Sequence, residues 1–227
     1  LSSYNDVFQS IAAYQFGPAR FRQRGYDSRN NKILMNGVEV NKIYDGRPQW
    51  SNWGGLNDVL RNREYGIGLE KSRSTFGGIN GSTNFILRTS LYQKGLRVSY
   101  SSTNTSYTNR FLATYSTTHK NWDFTVSVSR RWAEEGHFQG TFYDANSFFV
   151  GVENKINDSH SINFSGIFAS NRRGKSSPNT QEVYDLQSEN YNSYWGWQNG
   201  EKRNSRVKKL EEPIFLITHY WDISQKS

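Results

Sequence analysis

The chain contains no cysteine, four prolines and one methionine. Without cysteine it can build neither a disulfide framework nor a thiolate metal site. Long apolar runs are missing as well. The longest, Ile214 to Ile217, is about four residues, far short of the roughly 18 to 20 that a membrane helix needs. Leu, Ile, Val and Phe make up about 22% of the residues, only just above the level of about 20% that marks disorder. Acidic residues are the scarcer charge, 20 Asp/Glu against 28 Lys/Arg, for a net charge of +8. The cations are scattered among acids rather than gathered into a helical stripe, which argues against nucleic acid as a partner. What the chain does have is aromatic residues, 15% of the total, and disordered chains are poor in those. With a mean hydropathy of −0.83, such a sequence points to β structure.

Residues 1–92 are mixed in texture. Asp6 to Tyr14 and Leu56 to Asn62 read as short helices, Ala19 to Arg24, Lys32 to Met35, Tyr65 to Glu70 and Ser82 to Thr89 as strands. Asn36-Gly37, Gly54-Gly55, Gly77-Gly78 and Gly81 punctuate them as turn signals. The reading is a small α+β domain. Leu1 opens without a signal peptide, and Asp222 to Ser227 reads as a turn leading to another strand. The expectation is a piece of a longer protein.

From residue 93 the period is two. Trp122, Phe124, Val126 and Val128 alternate with Asp123, Thr125, Ser127 and Ser129, and the spans 95–103, 107–117, 122–132, 143–153, 161–170 and 213–221 repeat the pattern. Each strand has one apolar face and one of Ser, Thr, Asn or charge. A soluble sandwich buries the apolar face. A transmembrane barrel turns it to lipid and the polar face to the lumen. Alternation alone fits both, but joint lengths lean to the barrel. Residues 118–121 and 154–160 are short joints, 133–142 and 171–212 long ones, although 104–106 is short too. Tyr107, Trp122, Trp132, Tyr220 and Trp221 at strand ends would supply interfacial girdles.

Catalytic chemistry finds no support. No nucleophile elbow or phosphate-cradling loop occurs, and Glu134 and Glu135 are adjacent, so a strand sends them to opposite faces. His119, His137, His160 and His219 lack metal-ligand spacing. Neither an enzyme, a cofactor nor a metal site is expected.

Three segments, Phe21-Arg-Gln-Arg-Gly-Tyr-Asp27, Ile33-Leu-Met-Asn-Gly-Val-Glu-Val-Asn41 and Phe76-Gly-Gly-Ile-Asn-Gly-Ser-Thr-Asn-Phe-Ile-Leu-Arg-Thr89, stand in an order and spacing that resembles the plug domain of TonB-dependent outer-membrane receptors. Asp45-Gly-Arg-Pro-Gln-Trp-Ser-Asn-Trp-Gly-Gly-Leu-Asn-Asp58 resembles the Bacteroidetes branch of that family. The chain departs from the family at Glu39, where Pro is usual, and at Leu69 to Ser74, where Leu-Arg-Gly-Pro is usual. The resemblance implies a mostly β fold: residues 1–92 are the C-terminal part of a plug, and 93–227 the first six strands of a 22-stranded transmembrane β-barrel, with 171–212 a long extracellular loop. It implies TonB-dependent uptake of a scarce or bulky nutrient across the Gram-negative outer membrane. Arg24 would lock plug to barrel through carboxylates, with Lys71 or Arg73 as the second partner. TonB would engage a segment outside this chain, and a surface lipoprotein could cap the barrel.

Two aromatic clusters are candidates for cargo. Tyr44, Asp45, Arg47, Trp50 and Trp53 follow the Asn-Gly-Val turn, where the family's plug faces the cavity. Their rings could stack on a sugar or peptide, and Arg47 could pair with a carboxylate. Equally, Trp50 and Trp53 could wedge plug against barrel. Tyr191, Tyr194, Trp195 and Trp197 in the long loop could recognise cargo, close the barrel mouth or grip a lipoprotein. Glycan or peptide is weakly favoured as cargo over siderophore or cobalamin, bound between plug and extracellular loops. The rivals are a secreted soluble β-sandwich binding module and a receptor-like barrel serving as a structural subunit of an envelope complex.

Overall fold

The computed structural model describes residues 26–68, 70, 72–103 and 107–223. The expected helix at 6–14, the strand at 19–24, and the residues Arg24 and Lys71 lie outside the described residues. The chain divides into two compact units, one formed by residues up to Trp50 with Val59–Arg88, the other by Ser51–Asp58 with Thr89 onward.

The first unit is built on a four-stranded mixed sheet in the order β2-β1-β4-β3. Its strands are β1 (Lys32–Met35), β2 (Val38–Glu39), β3 (Arg63–Gly66) and β4 (Ser82–Phe85). Asn36 at φ 47° and Gly37 at φ 83° close the β1–β2 hairpin, the two-residue turn that needs positive φ at both centres. Asn36 Oδ1 accepts from Leu87 N at 2.7 Å, and Gly37 N donates to Asn84 Oδ1 at 3.0 Å. Ile33, Met35 and Leu87 are fully buried. Of residues 56–62, expected as a helix, 57–60 form a turn and the rest no regular structure, because a segment this short lacks the cooperativity to hold a helix by itself.

The second unit is one antiparallel sheet. Its strands are β5 (Gly95–Ser102), β6 (Asn109–His119), β7 (Trp122–Ala133), β8 (Tyr143–Lys155) and β9 (His160–Gly174), each paired with the next. Beyond β9 come helix α1 (Gln181–Leu186), the hairpin of β10 (Trp195–Gln198) and β11 (Glu201–Asn204), then β12 (Val207–Glu211) and β13 (Ile214–Trp221). Both β12 and β13 pair with β9, and in one continuous register: Glu211 faces Ser170 and Ile214 faces Ile167. They are a single long strand, interrupted at Pro213, which has no N–H for the ladder. The final strand therefore begins at Val207, not 213, and the long loop narrows from 171–212 to 175–206.

Which way the sheet faces is the central observation. Val126 is 46% exposed and Ile217 79%, while Ser127, Ser147 and Asn163 are fully buried. The apolar face looks outward and the polar face inward, the reverse of a soluble sandwich. Hydroxyls pair across the inner face, Thr114 with Ser127 at 2.7 Å and Thr125 to Ser116 at 2.9 Å. The chain after the first unit lies against the same face. Thr89 N and Oγ1 donate to Asn163 Oδ1, Ser90 N donates to Glu153 Oε2, and the Tyr92 ring meets Phe149 edge-on. Trp122 stacks on Phe124 and Trp221 on His160 on the outer face. Tyr220, expected in a girdle, falls on the inner face with Leu216 and Thr218, since strand neighbours alternate. Tyr107 likewise turns inward, against Tyr143.

Candidate functional site

The first cluster sits on the loop after β2. Asn41 holds that loop: its Nδ2 donates to Asn31 O and Gly46 O at 2.8 and 2.7 Å, and its Oδ1 accepts from Ile33 N. Asp45 caps Arg47 N at 2.9 Å, and Tyr44 is 80% exposed. The Arg47 guanidinium grips Asp27 with Nη2 to Oδ2 at 2.8 Å and Nε to Oδ1 at 3.3 Å. The backbone N–H of Arg29 and this guanidinium hold the Asp27 carboxyl well below the usual carboxylate range. A cargo carboxylate seeking Arg47 would have to displace Asp27. Trp50 is half exposed, whereas Trp53 is buried.

Trp53 belongs to segment 51–58, which lies on the inner face of the second unit's sheet. Ser147 Oγ donates to Gly54 O at 2.7 Å and Arg110 Nη2 to Gly55 O at 3.4 Å. Asn52 Nδ2 donates to Glu212 Oε2 at 2.6 Å, and Asp58 pairs with Arg97 at 3.5 Å. A Cβ on Gly54 would stand 2.8 Å from Arg131 Nη2, and one on Gly55 2.8 Å from Ser129 Oγ. The Gly54-Gly55 turn signal therefore marks a close approach of this backbone to the Arg131 and Ser129 side chains. Gly55, at φ 92°, also holds a backbone conformation that side chains rarely adopt.

The second cluster is firmly held. Asn192, 1% exposed, donates to Gln139 O and Lys175 O and accepts from Ser177 N and Tyr194 N. Asn204 donates to Gly140 O and Lys175 O, both at 2.9 Å. The loops 134–142 and 175–206 are thus stitched together by two buried amides. Trp195 lies flat over Gly140, where a Cβ would come within 2.2 Å of the ring. Lys202 sits over Trp195 and Arg206 over Tyr194, while Trp197 is 75% exposed. Sequence reasoning missed Asn192 and Asn204. Their role depends on partners more than ten residues away, and Asn in a polar loop gives no local signal.

Among the described residues, no cluster of three or more His, Cys, Asp or Glu could hold a metal ion.

No protein-family model matches the chain, and no curated protein matches it. Solved structures do. The siderophore receptor PiuA from Acinetobacter baumannii matches 89% of this chain with a TM-score of 0.61 at 17% identity. The ferric enterobactin receptor PfeA, in complex with BCV-L6, matches 88% with a TM-score of 0.51 at 12% identity. This chain spans 28% and 32% of the length of those two. Both neighbours are receptors rather than enzymes. At these identities the likeness shows the fold, and it is mostly β, with sheets resembling part of these receptors' fold and no closed barrel among the described residues.

Proposed function

We propose that this chain is part of an outer-membrane receptor that takes up a scarce or bulky cargo with energy delivered by TonB. The supporting observation is the inverted sheet, with Val126, Phe148 and Ile217 outward and Ser127, Ser147 and Asn163 buried. Water disfavours such an outer face at roughly 25 cal/mol per Å² of apolar surface, and a hydrocarbon solvent removes that penalty. In this reading 1–92 is plug and 93–227 barrel wall. The outer membrane holds neither ATP nor an ion gradient, so transport draws on the inner membrane through TonB, which pulls part of the plug aside. The segment that meets TonB lies outside this chain.

Tyr44, Trp50 and Trp197, the exposed aromatics of the two clusters, are the cargo contacts in this reading. Trp53, Tyr194 and Trp195 support them, and Asp45 and Arg47 shape the plug loop. Stacking rings suit a glycan or peptide, and the solved neighbours' names keep siderophores among the candidates. The stretch Asp45 to Asp58 supports a receptor of Bacteroidetes type, and the Trp197 hairpin is where a surface lipoprotein would grip. Envelope fractionation and gel mobility test the assignment. The full-length protein should fractionate with the outer membrane and run as a folded, heat-modifiable band in SDS. A single heat-insensitive band in the soluble fraction would favour the β-sandwich module. Growth on candidate nutrients should fail in strains lacking either the receptor or TonB, and unimpaired growth would instead mark a structural subunit.

A further inference from the structure

In sequence His160 and His219 show no metal-ligand spacing, yet strand register puts their rings in contact at the short-turn end of the sheet. Trp221 is the strand partner of His160, and Ile162 that of His219, so the two histidines are diagonal neighbours on one face. It is the outer face, shared with exposed Ile162, Ile217 and Trp221. Nδ1 of His160 stands 3.0 Å from Nε2 of His219. The ring centroids are 5.2 Å apart and the ring planes 6° from parallel. With nitrogens so much closer than centroids, the rings lie edge to edge and aim these two nitrogens at each other.

As a hydrogen bond the contact stabilises little, because water at an exposed site serves either nitrogen as well. As a chelate it is well spaced. At a metal–nitrogen distance of about 2.0 Å, two adjacent corners of a square plane lie about 2.8 Å apart, and two corners of a tetrahedron about 3.3 Å. The observed separation falls between them, so a small rotation of each ring seats an ion. The backbones are already fixed. His160 N donates to Asn157 Oδ1 at 2.9 Å, and its carbonyl accepts from Ile156 N and Asn157 N. Trp221 stacks on the His160 ring with centroids 5.6 Å apart, while His219 sits within the β13 ladder. Ligands held in advance lose less freedom on binding. His219 is exposed and His160 half-buried, so water has access to complete the coordination. The nearby Asp158 carboxylate is engaged by Lys155 at 2.8 Å, which leaves two imidazoles as the protein ligands.

We propose that His160 and His219 chelate a divalent first-row metal ion on the outer face, with copper(II) held most tightly. Copper(II) heads the affinity series for such nitrogen sites, and the measured separation is close to its square-planar spacing. His160 binds through Nδ1, in the tautomer that carries its proton on Nε2, and water fills the remaining positions. The ion clips β9 to β13. It binds the paired strands and not the unfolded chain, so it stabilises that pairing. The site stands on strand register and is independent of the uptake reading. It is tested by titrating copper(II) alone into the purified full-length protein in detergent, after metal is stripped with a chelator. Electron paramagnetic resonance reads the nitrogens bound to copper. The wild type should bind copper(II) with coupling to two nitrogens. His160→Asn and His219→Asn should each lower the affinity at least tenfold and remove that coupling. His137→Asn, in loop 134–142, should change neither. Copper(II) should also raise the unfolding temperature of the wild type more than that of His219→Asn. Heat-modifiable mobility checks that each variant folds, and if one does not, the other reads the same pair. Equal affinity and an unchanged spectrum in His160→Asn and His219→Asn would assign the copper to other histidines and overturn the site. The titration needs neither TonB nor living cells, so a failure of uptake and a failure of the metal site are read separately.

Discussion

Val126 is where the two possible solvents for the outer face differ most. It lies in β7 four residues from Trp122, the aromatic at that strand's end, and is 46% exposed. At about 3.4 Å per residue and a barrel tilt of about 40°, it sits roughly 10 Å deeper than Trp122. In an apolar band about 25 Å tall, that depth is close to the midplane. Arg at this position should therefore cost about 2 to 4 kcal/mol, a factor of roughly 30 to 900 in the folding equilibrium. If water bathed the outer face, the same exposed substitution would change stability by no more than about 0.5 kcal/mol. The assay is urea unfolding of the full-length protein refolded into phosphatidylcholine vesicles, followed by tryptophan fluorescence, with Val126→Leu as control. Val126→Leu should be near neutral in either solvent. A Val126→Arg loss under about 0.5 kcal/mol would place Val126 in water and sink the membrane reading.

Ser193→Cys, in the long loop, should label with a membrane-impermeant maleimide on intact cells while Ser159→Cys, in the short β8–β9 turn, stays silent; the opposite result would reverse the topology. Asn192→Ala strips four hydrogen bonds from backbone groups, of which the one to Ser177 N is buried, and that buried orphan alone costs about 1 to 3 kcal/mol. Proteases should then cut within 175–206 while the barrel band survives, and an uncut loop would refute its role as the tie between loops. The Asp27–Arg47 pair sets a pH limit on the plug loop. Asp27 titrates lower folded than unfolded, so its contribution is complete above the ordinary value near 3.8 and is lost as pH falls below it. Fluorescence of Trp50, three residues from Arg47, should hold steady from pH 7 to about 4 and change only below, whereas Asp27→Asn should change it at neutral pH. Gly140→Ala forces a Cβ into the Trp195 ring and should cost about 1 to 3 kcal/mol, shifting the Trp195 emission.

Local order was legible in the sequence because it depends on near neighbours. The period of two in Trp122 to Ser129 marked a two-faced strand, and the structure has β7 over Trp122–Ala133. Asn36-Gly37 marked a hairpin because positive φ at both turn centres leaves few other residues. The resemblance pointed to a receptor plug and barrel, and the solved neighbours agree in fold. The absent cysteine and the absent long apolar run excluded their classes by composition alone.

The rest depended on contacts between residues distant in the chain. Alternation says that a strand has two faces, not which one is buried; that was settled by segments 51–58 and 89–92 lying on the Ser, Thr and Asn side. The helix expected at 56–62 gave way to a turn over 57–60, since a segment this short holds a helix only where packing supports it. Pro213 reads in sequence as a strand start, yet β12 continues the register of β13 across it, since β9 offers its ladder on both sides. His160 and His219 are 59 residues apart in the chain. Only register, a property of the paired strands together, brings the two rings into contact.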